Sequence, residues 1–271
     1  MLYHSIHGTE VPALGFGTFR LPGAACYQGV QHALALGYRH IDTAQLYGNE
    51  EEVGAAIKDA PVPRADVFLT TKVWHTNLAP AKVRSSTEES LRKLQTDYVD
   101  LLLIHWPTPN LDLATALDAM HLLQAEGKVR HIGVSNFPSA LMREAIEHAP
   151  IFCNQVEYHP YLSQAPLLDL AHAHDVLITA YRPTANGKLN DEPLVRDLAA
   201  TYGKTPMQIA LRWLIQQDKV ATIPKSANSS RRAENFAVFD FALTADEMAA
   251  MHALASNERF VDPPFAPVWD S

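Results

Sequence analysis

Short, almost wholly apolar runs alternate with longer amphipathic stretches along this chain, and the alternation repeats eight times. The apolar runs fall at 14–18, 39–42, 67–72, 99–104, 129–134, 152–156, 176–180 and 220–223. Runs of this length and character read as parallel strands buried on both faces. Helical spacing predicts helices over 24–36, 50–59, 80–94, 112–126, 138–148, 164–173, 205–217 and 244–255. A small hairpin over 3–12, turning at His7-Gly8, precedes the first cycle. Two stretches stand outside the alternation, 182–203 and 224–240, the second containing a short helix. The Pro-rich, aromatic tail from Asn257 to Ser271 is expected to fold back over a barrel mouth.

Eight strand–helix units without a linker or charge-block boundary predict an α/β fold: a single-domain (β/α)8 TIM barrel with an N-terminal β-hairpin, spanning 1–271. Periodicity does not prove closure, so an open doubly wound sheet stays as the alternative. Gly15-Phe16-Gly17 begins like a dinucleotide fingerprint, but Arg20 occupies the third glycine position. A strand whose glycines let the backbone approach a ligand is the better reading.

Composition narrows the picture. Of 271 residues, 47% are hydrophobic, enough for a sizeable core, and the formal charge of -8 is spread without a basic run, so nucleic acid is not an expected partner. No window approaches the length of a spanning helix and no secretory leader is legible, so the expectation is a soluble, cytoplasmic protein without a membrane partner. Cys26 and Cys153 are far apart and read as two reduced, buried thiols. His172 and His174 face different sides of a predicted helix, and no metal site is expected.

Chemistry concentrates where the predicted strands end. Gly37 to Glu50 carries Asp42 and Tyr47 through a strand-to-helix turn; Lys72 ends the third strand, His105 follows the fourth, Ser135 and Asn136 the fifth, and Gln155 and Glu157 lie at the sixth. Closure would point all of them at one mouth. A carboxylate holding an ammonium beside a phenol makes sense as a unit: the ammonium is expected to lower the tyrosine pKa and make it a proton donor near neutrality. A neutral imidazole could hold a carbonyl oxygen against that phenol. Singly, each residue has a plainer reading as cap, surface charge or structural histidine; four at successive strand exits are hard to explain as packing.

The stretch Gly37 to Glu50, Thr71-Lys72-Val73-Trp74, Leu103-Ile104-His105-Trp106-Pro107, Gly133-Val134-Ser135-Asn136-Phe137, and Ile223-Pro224-Lys225-Ser226 with Arg231 and Glu234-Asn235 resemble the aldo-keto reductase family, most closely its short bacterial 2,5-diketo-D-gluconate and methylglyoxal reductases. The resemblance implies NADPH/NADP+ as cofactor without a Rossmann domain, and a catalytic tetrad of Asp42, Tyr47, Lys72 and His105. It implies cofactor contacts from Gly17, Thr18, Asp42, Ser135, Asn136, Gln155 and Tyr181, the last stacking on the nicotinamide. It further implies a 2'-phosphate site at Lys225, Ser226, Asn228 and Arg231, and adenine contacts at Glu234 and Asn235. Phe19, Trp74 and Trp106 would line the substrate cleft with Tyr47 and His105, and a small carbonyl compound would be the substrate, reduced by a monomer. Arg182-Pro183-Thr184-Ala185-Asn186-Gly187 departs from the family's Ser-Pro-Leu-Gly, so pyrophosphate contacts do not transfer. An NADPH-binding sensor without turnover and a barrel lyase using Lys72 as Schiff-base nucleophile are the competing functions.

Overall fold

A computed structural model describes residues 1–270. The chain opens with the antiparallel hairpin of β1 (Tyr3–Ile6) and β2 (Thr9–Pro12). Eight parallel strands follow: β3 (Phe16–Gly17), β4 (His40–Asp42), β5 (Phe68–Val73), β6 (Val99–Ile104), β7 (Val129–Ser135), β8 (Cys153–Glu157), β9 (Leu177–Tyr181) and β10 (Val220–Thr222), each hydrogen-bonded to its neighbours in sequence order. The first and last meet: Leu14 bridges Thr222 in parallel, the Gly15 N–H donates to the Thr222 carbonyl at 2.8 Å, and the Thr222 N–H donates to the Ala13 carbonyl at 2.8 Å. The sheet is therefore closed into a (β/α)8 barrel, and the open-sheet alternative is excluded.

The helices are α1 (Gly23–Leu36), α2 (Glu50–Asp59), α3 (Pro80–Leu94), α4 (Leu113–Ala125), α5 (Ser139–His148), α6 (Ala165–His174), α7 (Pro193–Tyr202), α8 (Pro206–Ile215), α9 (Ser229–Phe236) and α10 (Ala245–His252). Their apolar faces and the outward-facing strand residues form one continuous core. A second cluster fills the barrel, joining Phe68, Leu101, Leu103, Phe152, Cys153, Leu177 and Ala221 to Ile6 and Val11 of the hairpin. The hairpin thus plugs the end at which the strands begin, and polar side chains within the barrel can meet solvent only at the opposite mouth.

Close packing requires the glycines at the start of the barrel: a Cβ on Gly17 would lie 2.7 Å from the Ile223 carbonyl oxygen, and one on Gly15 would lie 2.8 Å from the His40 ring. One expectation needs correction. Residues 182–203 contain a full helix, α7, which the reading of that stretch as an insertion missed. Its signals were Pro193 in the first turn, Gly203 in the left-handed conformation at its end, and an inward face of Val195, Leu198 and Ala199. Both cysteines are buried and free, and burial pushes each thiol up to about 12. No helix among the described residues is long and apolar enough to cross a membrane.

Candidate active site

Asp42 is the last residue of β4, and Lys72 lies two positions beyond its register partner Thr70 on β5, so both side chains face the barrel interior. Lys72 is fully buried. Its ammonium donates to Asp42 Oδ1 at 2.6 Å, to the Thr43 carbonyl at 2.9 Å and to the Tyr47 hydroxyl at 3.2 Å. Three N–H groups thereby find three acceptors, which a buried ammonium requires. Tyr47 reaches this position because the 3-10 turn Gln45–Tyr47 ends at Gly48, whose positive φ of 64° folds the loop back over the strand ends. The second Asp42 oxygen accepts from Gln155 Nε2 at 2.8 Å.

Burial lowers the Lys72 pKa from the ordinary lysine value, and the Asp42 carboxylate opposes that loss of charge. From sequence, Lys72 is expected to pull the Tyr47 pKa down. The structure gives the opposite direction: burial, with the Asp42 charge behind it, holds the phenol well above its usual value. The reason is that Asp42 largely cancels the ammonium it binds, leaving desolvation to dominate. Tyr47 is consequently a protonated hydrogen-bond donor across neutral pH.

His105 follows β6, its backbone N–H donating to the Val73 carbonyl at 3.0 Å. Its ring stands edge-on to Tyr47, with centroids 5.7 Å apart, and to Trp74 at 5.2 Å. Burial first, then the Lys72 charge, depress its pKa well below the ordinary histidine value. The imidazole is neutral, and its buried Nδ1 has no protein partner among the described residues. Phe19 lies 5.0 Å from Tyr47 on the open side of the mouth. Phe19, Tyr47, His105 and Trp74 are thus joined ring to ring.

A second polar group adjoins the first. Ser135 Oγ donates to the Gln155 carbonyl at 2.7 Å, Asn136 Nδ2 donates to the His105 carbonyl at 2.9 Å, and the Tyr181 hydroxyl donates to Asn136 Oδ1 at 2.6 Å. Asn136 adopts a φ of 64°, a left-handed conformation that its short polar side chain tolerates. Thr18 is buried and donates to the Asp42 carbonyl at 2.9 Å. Gly17 pairs with Asp42 across β3 and β4. These residues form one hydrogen-bonded floor beside the tetrad.

Beyond β10 the chain enters α9. Asn228 caps the helix, its Oδ1 accepting the Arg231 N–H at 3.0 Å, and Ser226 Oγ accepts the Asn228 N–H at 3.2 Å. Lys225 and Arg231 are exposed, and neither side chain has a carboxylate partner among the described residues. Unpaired cations at a helix N-terminus suit an anion. Glu234 and Asn235 are half-buried on the same helix, Glu234 Oε1 accepting the Thr205 hydroxyl at 2.9 Å. Arg232, which sequence reading passed over, is buried and donates to the Ser226 and Ala227 carbonyls, each at 3.0 Å. Arg182 is tied to Asn186 Oδ1 at 2.8 Å within the divergent loop, which forms the 3-10 turns Ala185–Asp191.

The tail folds over the mouth as expected, through contacts the sequence did not show. Glu157, wholly buried, accepts the Phe260 N–H at 2.8 Å and the Val261 N–H at 2.9 Å. Phe265 then packs 6.1 Å from Trp74 and 5.6 Å from Trp106, and Trp269 lies 6.0 Å from Trp106. Gln45 joins the two sides of the cleft, its Oε1 accepting the Trp74 N–H at 3.0 Å. These partners are remote in sequence, which is why local pattern did not reveal them.

Barrel and site together define an oxidoreductase acting on carbonyl groups. The chain belongs to the Aldo/keto reductase family, whose model matches residues 13–256. Methylglyoxal reductase DkgB of Yersinia pestis is 41% identical over 267 residues, covering 96% of this chain and 100% of the relative. Aldo-keto reductase family 1 member A1 of Mus musculus is 37% identical over 292 residues, covering 94% and 90%. A crystal structure provisionally named 2,5-diketo-D-gluconic acid reductase B superposes with a TM-score of 0.96 at 50% identity, covering 100% of this chain and 98% of that one.

Proposed function

We propose that the protein reduces aldehydes and ketones to alcohols with NADPH, acting on small α-dicarbonyls such as methylglyoxal and on related keto compounds including 2,5-diketo-D-gluconate. The observation that carries this reading is the fully buried Lys72 ammonium shared between Asp42 at 2.6 Å and the Tyr47 hydroxyl at 3.2 Å, beside a neutral His105. Bound NADPH would supply the hydride. Tyr47 donates its proton to the carbonyl oxygen as negative charge develops there, and Lys72 steadies the oxygen left behind. Asp42 keeps Lys72 charged and aimed. The unpartnered imidazole of His105 binds the carbonyl oxygen and orients the substrate.

The chain's own residues fit the cofactor. Ser135, Asn136 and Gln155 offer the donors and acceptors that a carboxamide needs, and the Tyr181 ring gives it a flat face. Lys225, Ser226, Asn228 and Arg231 would hold the 2'-phosphate, with Glu234 and Asn235 toward the adenine. Arg231→Ala should weaken NADPH about tenfold or more while changing NADH less than about threefold, since a charge-assisted contact is lost only with the phosphate-bearing form. Titrations with both nucleotides check this; equal weakening would move the phosphate elsewhere.

A Schiff-base role for Lys72 is disfavoured because all three of its N–H groups are committed and a carboxylate holds it charged. A sensor without turnover is separated from a reductase by following NADPH absorbance with methylglyoxal.

The pKa directions fix the pH dependence. His105 must be neutral to accept or share a hydrogen bond with substrate, and its folded pKa lies well below the ordinary 6.5. Tyr47 must be protonated, and its pKa lies well above 10.0. Reductive kcat/KM should therefore stay flat as pH falls through 6.5, declining only near the lowered histidine value; on the alkaline side it should hold until the raised tyrosine value is approached. An inflection at ordinary histidine pH would contradict a neutral His105.

A further inference from the structure

We propose that Arg232, buried beneath the turn between β10 and α9, is a positioning residue that holds this turn in the shape that receives the cofactor's 2'-phosphate, and so sets the preference for NADPH over NADH. The inference deepens the NADPH reading and rests on it. Arg231 and Arg232 are adjacent, yet the first is exposed and the second buried. The Arg232 Nη1 donates to the Ser226 and Ala227 carbonyls, each at 3.0 Å, and its Nε donates to His32 Nδ1 on α1 at 3.2 Å. Its own carbonyl accepts the Tyr38 hydroxyl at 3.2 Å, just beyond the end of α1. One residue thus ties the turn to α9 and ties α9 to α1.

The bond to His32 has a single possible polarity. A guanidinium has no lone pair to offer, so His32 must be neutral with its proton on Nε2. Burial first, then the Arg232 charge, hold the His32 pKa below its ordinary value, which keeps Nδ1 an acceptor at neutral pH. The bonds to the turn have a consequence on its other side. All peptide bonds here are trans, and in a trans peptide the N–H points opposite to the C=O. With the Ser226 and Ala227 carbonyls drawn onto the guanidinium, the N–H groups of Ala227 and Asn228 leave the turn in the opposite direction. The Asn228 N–H closes on Ser226 Oγ at 3.2 Å, whereas the Ala227 N–H has no acceptor among the described residues. That free donor lies between the exposed cations Lys225 and Arg231. Arg232 itself pairs with no carboxylate among the described residues. A buried cation without a counter-charge is costly, and an anion at the turn offsets that cost.

The test is calorimetric titration of the full chain with adenosine 2',5'-bisphosphate and with 5'-AMP, which differ by that one phosphate and need no turnover. In Arg232→Met the affinity for the bisphosphate should fall about tenfold, and that for 5'-AMP by less than about threefold. Arg232→Lys keeps the charge but lacks the fork that reaches all three acceptors, and should lose nearly as much. His32→Leu, on a different helix, leaves the guanidinium and removes one acceptor; it should weaken the bisphosphate about threefold and leave 5'-AMP unchanged. Arg231→Ala combined with Arg232→Met should lose less than the product of the two single losses, because one side chain acts through the turn that presents the other. Equal losses on both nucleotides would reduce Arg232 to a packing role for α9 and overturn the proposal. Full recovery in Arg232→Lys would do the same, by making charge rather than position the cause. A wild type that binds the bisphosphate no better than 5'-AMP would remove the 2'-phosphate site and the proposal with it, whereas discrimination equal in wild type and Arg232→Met would refute the proposal alone.

Discussion

Tyr47→Phe should lower kcat for carbonyl reduction by about 10³- to 10⁴-fold, at the upper end of what one positioned proton donor contributes, while NADPH affinity stays within about threefold. The phenol is the protonated end of a chain that begins at a buried carboxylate, and removing one oxygen leaves the ring, its contact with Phe19 and the Lys72–Asp42 pair in place. An effect confined to the chemical step is thus expected, because the hydroxyl acts where charge develops and not where the nucleotide binds. Steady-state rates together with nucleotide titration check it. A variant that loses NADPH binding to the same degree would place Tyr47 in the cofactor site rather than at the proton.

Lys72→Met should damage both turnover and folding. Deleting the ammonium leaves the almost wholly buried Asp42 carboxyl with Gln155 as its remaining side-chain partner. Breaking such a pair from one side costs about 3–5 kcal/mol of stability. Turnover should also drop by about a hundredfold or more, because the oxygen of Tyr47 then carries its developing charge without a cation nearby. The double variant Asp42→Asn with Lys72→Met removes both charges and should recover much of the lost stability but none of the activity. Chemical denaturation of the three proteins resolves the two effects. If the single and double variants are equally destabilised, the buried pair is not what couples stability to the site.

Much of this was legible in the chain itself. The barrel strands could be read because strands buried on both faces leave unbroken apolar runs, as in β6, whose six residues are all buried. The tetrad could be read because each member sits at or just after a strand end, and closure does the rest. What local pattern could not supply was contact between remote segments. The packing of Gly15 on the His40 ring and of Gly17 on the Ile223 carbonyl, where the barrel closes, is one example. The direction of the Tyr47 shift was misjudged for a related reason: from sequence the ammonium is visible, but the desolvation that outweighs it depends on how deeply the loop folds inward. The contacts of Arg232 with the Ser226 and Ala227 carbonyls, and of Glu157 with the tail, are of this kind, and no motif marks them.

Loop 182–191 shows the same division. Its departure from the family pattern is plain in sequence, and the structure adds that Arg182, Ala185, Asn186 and Gly187 all adopt positive φ, a backbone path that requires the buried Leu189 and Ala185 to hold it in place.

The central claim is that these four side chains accept a carbonyl compound next to a reduced nicotinamide and pass it a hydride and a proton. Reduction of methylglyoxal with NADPH dideuterated at the nicotinamide C4 tests it most directly. One deuterium should appear on the carbon that bears the new hydroxyl for each NADPH consumed, and Tyr47→Phe should suppress both. Alcohol formed without deuterium, or NADPH left unoxidised across a panel of aldehydes, α-dicarbonyls and keto acids, would contradict it.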